Sequence, residues 1–468
     1  MRTLISNGML CTEGGTIRAD LSCRDEHIEM IAVDLDPDGY DTVIDATGMY
    51  VLPGGIDAHT HMDLQQTPTY RSCDDFYTGG VAAACGGTTT VIDHMAFGAP
   101  GCTLASRFDE YRELARRSPI DYSFHGVLQH IDQDVLEELT GLAADGFPSV
   151  KAYTTYGYPV HDRELLTVLE TLAGSGGLLT THAENDAICT ALQDRYAAQG
   201  CDDPFLQAVT RPAEAEAEAV TRLAALARVA GDAPLYIVHL SAGQSLAAVR
   251  AARATGQRNL HVETCTQYLT LTQDRFREGG PQEGILYLMA PPLRTAADNA
   301  ALWQGLADGE IQVVATDHCP FTPEQKRENV HDYRSCPGGI PGVEERMPVL
   351  FSEGVVAGRI SLERFVQVTA ANPARIFGMY PRKGVLAPGS DADVTVIDPR
   401  RSRVLSATDL HSRAGYSPYA GLRVNCTVEA VLSRGRVVAR RHEFCGERGA
   451  GRLVPREARS TRDGGRRP

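Results

Sequence analysis

The sequence contains no Cys-x-x-Cys pair, and no apolar run approaches the roughly 20 residues that a membrane-spanning helix needs. Its twelve cysteines are scattered along the chain without a regular framework, so we expect them to be reduced and mostly buried. The first residues also lack the apolar core of a secretory signal peptide. These absences predict a cytoplasmic protein that does not enter a membrane.

Basic residues are outnumbered by acidic ones, 45 to 60, so the formal net charge is −15. A chain with this balance is a poor binder of phosphate backbones, so nucleic acid is not an expected partner. Hydrophobic residues make up 43% and charged residues 22% of the sequence, values typical of globular proteins. A length of 468 residues indicates one large barrel with an appendage, or two to three domains.

Apolar, β-branched runs alternate with helical stretches through the middle of the chain. This alternation predicts an α/β protein with a (β/α)8 barrel, whose active site lies at the carboxyl ends of its strands. The helical stretches include residues 104–117, 162–173, 213–229 and 242–254. The eight predicted strands are residues 55–61, 88–94, 121–128, 149–154, 178–182, 235–239, 260–265 and 311–317.

Short β-like segments punctuated by turns occupy both ends of the chain. We therefore predict a small β-sandwich domain built from residues 1–52 and 379–445, with the barrel spanning residues 53–378. The remaining segment, residues 446–468, is rich in arginine and poor in apolar residues. It is predicted to be flexible or draped on a neighbouring subunit, because it cannot bury enough surface to offset its ordering entropy.

Polar residues recur where the predicted barrel strands end. Two histidines that are two residues apart in a strand point to the same face; alone, such a pair is more often structural than functional. Here further polar groups from other strands converge on the same rim of the barrel. The set consists of His59 and His61 on strand one, Lys151 on strand four, His182 on strand five, His239 on strand six and Asp317 on strand eight.

These residue types suit a metal centre. Neutral imidazole and carboxylate bind Zn²⁺ and similar divalent ions, and four histidines divide naturally between two ions. A lysine ammonium would repel both ions. We hypothesise that CO₂ adds to the Lys151 amine, since the resulting carbamate has two oxygens that can bridge a pair of metals.

The sequence resembles the cyclic amidohydrolases, and among them the dihydropyrimidinase and D-hydantoinase (phenylhydantoinase) group. The resemblance covers about residues 1 to 455, and its motifs are specific in combination. They lie at residues 53–63, 74–79, 84–94, 181–185, 238–241, 262–268, 291–294, 315–319, 342–347 and 384–393.

The resemblance implies a two-metal enzyme that uses metal-bound hydroxide to convert 5-substituted hydantoins or dihydropyrimidines into N-carbamoyl amino acids. It assigns His59 and His61 to one ion and His182 and His239 to the other, with carboxylated Lys151 between them. Asp317 would bind the first ion and carry the proton. The family members are homotetramers that act on a small cyclic imide or ureide, so the same assembly and substrate class are expected here.

Substrate-binding residues are also implied by the resemblance. Tyr156 matches the family's oxyanion-stabilising tyrosine. Backbone groups near Ala290 and Gly338 would hold the imide, although the family often has Ser and Asn at these two positions. The loops after strands one and four would cover the substituent at the ring's 5-position with apolar side chains, namely Met62, Leu64, Tyr153 and Tyr158.

Three alternatives remain open. Dihydroorotase usually carries an arginine two residues beyond its His-x-His, whereas this chain has Asp63, an acid that would repel an anionic substrate. Allantoinase fits less well with residues 74–76 and 262–268. A non-catalytic scaffold, as in the dihydropyrimidinase-related proteins, would lack several of the metal ligands, and all of those positions are filled here.

Overall fold

The computed structural model describes residues 1–458 and contains two sheet systems. The predicted eight-stranded parallel barrel is present, with its strands in the order of the chain. Nearly all residues in these strands are buried, because helices cover the outside and side chains fill the inside. The barrel strands are β6 (Gly55–Thr60), β7 (Thr88–His94), β8 (Asp121–Val127), β9 (Ser149–Tyr153), β10 (Leu178–His182), β11 (Leu235–Ile237), β12 (Leu260–Cys265) and β13 (Val313–Ala315).

The sixth and eighth barrel strands are shorter than the sequence predicts. β11 ends at Ile237 and β13 at Ala315, so His239 and Asp317 lie beyond the strands. Their φ angles of 38° and 54° are left-handed and cannot continue a strand. The barrel closes here, because the Asp317 amide donates to the His59 carbonyl at 2.9 Å.

Helices follow the strands on the outside of the barrel. α2 starts after Thr103, whose hydroxyl accepts from the Ser106 amide at 3.1 Å, and α4 stops at Gly176, which has a φ of 76°. The helices are α1 (Thr78–Cys85), α2 (Leu104–Ala115), α3 (Gln133–Leu142), α4 (Asp162–Ser175), α5 (Asp186–Ala197), α6 (Leu206–Thr210), α7 (Ala213–Val229), α8 (Gly243–Ala254), α9 (Thr266–Thr270), α10 (Pro281–Gly284), α11 (Ala296–Ala307), α12 (Pro323–Arg327), α13 (Arg346–Leu350), α14 (Leu362–Val366) and α15 (Asn372–Ile376).

The second system is a nine-stranded mixed sheet built from both chain ends. Its two halves join where β14 pairs antiparallel with β5. The exact domain boundaries at residues 52 and 378 stay predictions. The strands are β1 (Arg2–Thr12), β2 (Gly15–Arg24), β3 (His27–Ala32), β4 (Thr42–Asp45), β5 (Tyr50–Pro53), β14 (Val394–Asp398), β17 (Thr427–Ser433), β18 (Arg436–Arg440) and β19 (Glu443–Phe444); a separate pair consists of β15 (Arg403–Val404) and β16 (Arg423–Val424).

A buried lysine connects the two systems. The Lys383 ammonium lies 2.8 Å from Asp121 on β8, 2.9 Å from Asp391 and 2.6 Å from Asp393, just before β14. Lys383 is only 2% exposed and each of the three carboxylates is buried. Burial alone would lower the pKa of Lys383, but the carboxylates more than offset this effect and raise it.

The prediction of a flexible segment after residue 445 is wrong for residues 446–458. Backbone bonds join the segment to β8, with the Tyr122 amide donating to the Arg452 carbonyl at 3.0 Å and the Val454 amide to the Tyr122 carbonyl at 2.7 Å. Arg456 is buried and donates to Ser123 and Ser149. These bonds supply the ordering energy that the composition did not reveal; residues 459–468 of the predicted tail lie outside the described residues.

All twelve cysteines are free, and most are buried. Within residues 1–458, no helix combines the length and the apolar character that a bilayer crossing requires.

Candidate active site

A cavity of about 730 Å³ opens at the carboxyl ends of the barrel strands. Its position is the one at which barrel enzymes carry their catalytic groups. All six residues that the sequence predicts as metal ligands line this cavity: His59, His61, Lys151, His182, His239 and Asp317.

The first histidine pair faces the Asp317 carboxylate. Nε2 of His59 and Nε2 of His61 each lie 3.1 Å from Oδ1 of Asp317. Nδ1 of His59 is 2.7 Å from Oε1 of Glu263, which is a buried acceptor. The proton of His59 therefore sits on Nδ1, and the lone pair of Nε2 points toward the cavity, as in metal-binding histidines held by a carboxylate.

Glu263 on β12, which spacing along the chain did not predict, also contacts the segment that carries the second pair. Its Oε1 accepts from the His239 amide at 3.0 Å, and its Oε2 accepts from the Tyr236 hydroxyl at 2.8 Å. One buried carboxylate thus holds both His59 and the turn that carries His239. It follows His261 by two residues in a predicted strand, but nothing in the sequence shows which way it faces.

His182 is held by a second unpredicted carboxylate. Its Nε2 lies 2.7 Å from Oε2 of Glu184, and the same oxygen accepts from Arg211 at 2.5 Å. Burial by itself would raise the pKa of Glu184, but Arg211 and His182 together lower it from 4.5 to about 2. Because Nε2 is engaged, Nδ1 of His182 is the atom left for a ligand.

Lys151 is 1% exposed and lies between the two histidine pairs in chain order, on β9. Burial lowers the pKa of its ammonium from 10.5 to about 8. A larger fraction of the amine is therefore neutral near physiological pH than for a solvated lysine. Only the neutral amine reacts with CO₂, so the environment favours the predicted carbamate.

Asp317 is strained and only partly exposed, with 13% of its side-chain surface accessible. Its left-handed φ of 54° is shared by two other cavity residues, His239 at 38° and Tyr156 at 74°. Such backbone strain costs about 1 to 3 kcal/mol per residue and concentrates at functional sites. Burial tends to raise the pKa of Asp317, but His59 and His61 more than offset it and hold the pKa well below the usual range.

These residues fit a metal centre. Several buried ring nitrogens in the cavity have no hydrogen-bond partner, including Nε2 of His59, Nδ1 of His61 and Nδ1 of His239. Buried polar atoms are normally paired, so the orphaned nitrogens indicate a missing ligand. His59, His239 and Asp317 each place a donor atom within 4.8 Å of the others, so one residue of each histidine pair lies close to the carboxylate.

His94 joins the cluster, although the sequence argument gave it no catalytic role. Its ring centroid lies 4.2 Å from that of His59, and neither of its nitrogens has a hydrogen-bond partner. Burial lowers the pKa of His94 well below its usual value. It packs against the first histidine pair as a neutral ring. Its position at the end of β7 is the feature of the sequence that could have predicted its place in the site.

Aromatic rings form one wall of the cavity. Tyr153 and Tyr158 line it as predicted, and Phe97 joins them with ring centroids 5.3 Å and 4.8 Å away. Tyr156 also lines the cavity, and its ring lies 4.8 Å from that of His182. Phe97 was not predicted. It lies in the loop after β7, and the family resemblance assigned substrate contacts only to the loops after the first and fourth strands.

Three further predicted substrate-binding residues, Leu64, Ala290 and Gly338, line the cavity. The backbone N–H and C=O of Gly338 are both paired with the side-chain amide of Gln66, at 3.0 Å and 2.7 Å. The prediction for Met62 is wrong. Its side chain is buried against Gly79 of α1, because its neighbour His61 takes the position that faces the cavity.

Asp63 also lies away from the cavity lining. Its carboxylate is 2.8 Å from the Arg71 guanidinium and accepts from the Phe76 amide at 3.2 Å. Arg71 thus balances the charge of Asp63, and the carboxylate stabilises the loop that leads to α1. The expectation that Asp63 repels an anionic substrate stays a prediction, and this pairing removes part of its basis.

The fold and the site define a barrel enzyme with a candidate two-metal centre, and comparisons with known proteins agree. Residues 50–438 match the amidohydrolase family. The chain is 46% identical to D-phenylhydantoinase of Escherichia coli O1:K1 / APEC over 98% of each protein. It superimposes on the crystal structure of dihydropyrimidinase from Brevibacillus agri NCHU1002 with a TM-score of 0.95 and 39% identity over 100% of each chain.

L-hydantoinase (dihydropyrimidinase) from Arthrobacter aurescens is a more distant match, with a TM-score of 0.88 and 31% identity over 97% of this chain and 99% of that one. The chain belongs to the amidohydrolase family. Within that family it is a cyclic amidohydrolase of the dihydropyrimidinase and D-hydantoinase group.

Proposed function

We propose that the protein hydrolyses the cyclic amide bond of 5-substituted hydantoins and dihydropyrimidines and releases N-carbamoyl amino acids. The observation that carries the proposal is the single cavity in which the six candidate metal ligands and the aromatic wall meet. The 46% identity to a D-phenylhydantoinase over the full length supports the same substrate class.

His59 and His61 would hold one divalent ion and His182 and His239 a second, in our proposal both Zn²⁺, and carboxylated Lys151 would offer an oxygen to each. The orphaned ring nitrogens and the depressed pKa of Lys151 support this ligand set. When bound, the ions supply a water of lowered pKa and polarise the substrate carbonyl.

Asp317 acts as the proton carrier. Its carboxylate lines the cavity 3.1 Å from Nε2 of both His59 and His61, so it is placed to accept a proton from the attacking water. It then delivers that proton to the ring nitrogen that departs. The left-handed backbone fixes the carboxylate at the cavity floor, which limits the reorganisation needed for transfer.

Tyr156 stabilises the oxyanion that forms at the attacked carbonyl. The guanidinium carbon of Arg211 lies 5.1 Å from the centroid of its ring, and Arg211 is anchored by Glu184. The same carboxylate therefore orients both His182 and, through Arg211, the tyrosine. One well-placed oxyanion donor is worth about 3 to 4 kcal/mol of transition-state stabilisation.

The aromatic wall receives the substituent at the ring's 5-position. Phe97, Tyr153 and Tyr158 lie close enough to one another to present a continuous apolar surface. Aromatic contacts favour an aryl substituent by about 0.5 to 1.5 kcal/mol beyond area burial. A 5-aryl hydantoin is accordingly hydrolysed at least as well as dihydrouracil in our proposal, with the D-enantiomer favoured by family resemblance.

Dihydroorotase and allantoinase activities are the alternative functions. The pairing of Asp63 with Arg71 removes one argument against an anionic substrate. Arg334, which lines the cavity, offers a cation at its rim, although it is paired with Asp332 at 2.8 Å. Substrate comparison, rather than the charge of Asp63, has to separate these functions.

The test is a comparison of kcat/KM for dihydrouracil, hydantoin, 5-phenylhydantoin, allantoin and dihydroorotate with one metal-loaded preparation. We expect 5-phenylhydantoin to be hydrolysed at least as well as dihydrouracil, and allantoin and dihydroorotate much more slowly. A highest value for dihydroorotate or allantoin would assign the protein to that activity instead.

A homotetramer, expected from the family resemblance, and a cytoplasmic location complete the proposal. Sedimentation of the purified enzyme measures the first, and fractionation of the source cells measures the second.

A further inference from the structure

A second cluster of metal-ligand side chains lies outside the barrel mouth. It consists of Glu344, in the turn before α13, His411, in the loop between β15 and β16, and His442, in the turn between β18 and β19. Each residue places a donor atom within 4.8 Å of the others. The cluster thus joins the last part of the barrel to the C-terminal strands of the mixed sheet.

The carboxylate of Glu344 is the centre of the cluster and is 1% exposed. Its Oε2 accepts from the backbone amide of His411 at 2.8 Å. Its Oε1 is hydrogen-bonded to Nδ1 of His411 at 2.9 Å and lies 2.7 Å from Nε2 of His442. One oxygen and two ring nitrogens therefore converge on one point.

The two imidazoles are not equivalent. Nε2 of His411 has its own neighbour, the Cys85 thiol at 3.7 Å, so Nδ1 is the atom that faces the cluster. Nε2 of His442 is buried and, despite its short distance to Glu344, has no partner at hydrogen-bonding geometry. An orphaned buried nitrogen aimed at a carboxylate and a second imidazole is the arrangement that a bound cation resolves.

The backbone holds His442 in place at a cost. Arg441 and His442 have φ angles of 50° and 67°, both left-handed. The side chains of His411 and His442 are 27% and 23% exposed, so water can reach the cluster from one side. Two imidazoles, one carboxylate and an open solvent-facing position form a ligand set that Zn²⁺ and similar borderline ions accept.

We propose that Glu344, His411 and His442 form a third divalent-metal site, selective for a transition ion of the zinc type. Its role is structural, because it ties the turn before α13 to the C-terminal strands. It also fixes the segment after His411, where the Ser412 hydroxyl and the Arg413 amide both donate to Asp74. Asp74 in turn lies 3.1 Å from Nε2 of His318, the residue after Asp317.

The experiment measures bound zinc per subunit. Full-length enzyme loaded with its active-site metals is equilibrated with ZnCl₂, separated from free ion and analysed by mass spectrometry of the metal. The variants are His411→Gln and His442→Gln, and the matched control is His130→Gln, a partly exposed histidine 3.5 Å from Asp132. We expect the parent and the control to carry one zinc ion more than the two variants, with equal turnover in all four.

Equal zinc content in all four proteins would overturn the proposal and leave Glu344 as an ordinary hydrogen-bonded carboxylate. A loss of zinc accompanied by loss of turnover would also overturn it, because the ion would then belong to the barrel mouth. Anomalous diffraction at the zinc edge checks the location directly. A peak beside Glu344 in the parent, absent in His442→Gln, is the expected result, and peaks confined to the barrel mouth would refute the site.

Discussion

At the scale of single residues, Asp317 carries the sharpest prediction. Asp317→Asn keeps an oxygen for the ion but cannot accept a proton, so turnover should fall by about 10²- to 10⁴-fold. Circular dichroism should show an unchanged fold, and Asp308→Asn, an exposed residue at the end of α11, should be fully active. Turnover of Asp317→Asn within a few-fold of the parent would remove this carboxylate from the mechanism.

Lys151 carries the second residue-level prediction. Lys151→Ala removes the only buried amine of the cavity among the described residues, so the variant should lose most of its bound metal and nearly all turnover. Acetate or propionate added to the variant should restore part of both, because a free carboxylate replaces the carbamate. Metal analysis and rate measurements decide, and a fully active variant would contradict the bridging role.

The sequence predicted the strand-end residues of the site because a barrel brings the ends of its strands together. It did not predict Glu263, Glu184 or Phe97. Glu263 acts on residues of two other strands, Glu184 acts on His182 two positions earlier, and Phe97 lines the cavity from a loop. These contacts depend on side-chain direction and on loop paths that spacing along the chain does not encode. Met62 failed for the same reason, since the turn after His61 directs it into the packing with α1.

At the scale of elements, the loops after β7 and β9 should set the preference for the substituent. Tyr153→Ala or Phe97→Ala should lower the ratio of kcat/KM for 5-phenylhydantoin over hydantoin by about 2- to 10-fold, since an aromatic contact is worth about 0.5 to 1.5 kcal/mol. Tyr158→Phe keeps the ring and should leave the ratio unchanged. An unaltered ratio in both alanine variants would show that these aromatic rings pack against the barrel rim and do not contact the substituent.

The C-terminal segment is the second element with a testable role. Arg456 donates to Ser123 and Ser149, and burial lowers its pKa to about 9. Arg456→Ala removes the donor to the Ser123 hydroxyl and opens a cavity, while the Ser149 hydroxyl keeps its contact with Nδ1 of His125 at 2.7 Å. The free energy of unfolding should therefore fall by about 2 kcal/mol. Arg436→Ala, at a side chain 65% exposed, should change it by less than about 0.5 kcal/mol. Equal effects in urea unfolding would mean that the segment adds no stability.

At the scale of the whole molecule, the alternation of apolar and helical segments was enough to predict the barrel and its strand order. The joining of both chain ends in one sheet was predicted because both ends consist of short β-like segments separated by turns. What composition could not show was the docking of residues 446–458, because that docking depends on acceptors in β8 and β9 rather than on apolar content.

The contact between barrel and sheet gives the last prediction. Lys383→Met would remove the cation that three buried carboxylates share, and of these only Asp121 keeps an arginine, Arg434 at 3.2 Å. Such a loss typically costs about 3 to 5 kcal/mol. The pKa of Lys383 is raised above its ordinary 10.5, so the contribution is fully present below pH 10.5 and is lost as the pH rises through the higher folded value. The difference in melting temperature between parent and variant should stay constant from neutral pH to about pH 10.5 and shrink at higher pH. A difference that already disappears near neutral pH would contradict the ion cluster.

The aromatic wall has a consequence for how such enzymes diverge. Phe97, Tyr153 and Tyr158 lie at or beyond the ends of two strands, whereas the candidate metal ligands are fixed by the barrel and by buried carboxylates. Selection can therefore exchange the rings without disturbing the hydrolytic groups, because loop residues tolerate change better than the strands that support them. After gene duplication, the encoded enzyme thus acquires a new preference for the substrate's substituent in few mutational steps, while the hydrolytic chemistry stays intact.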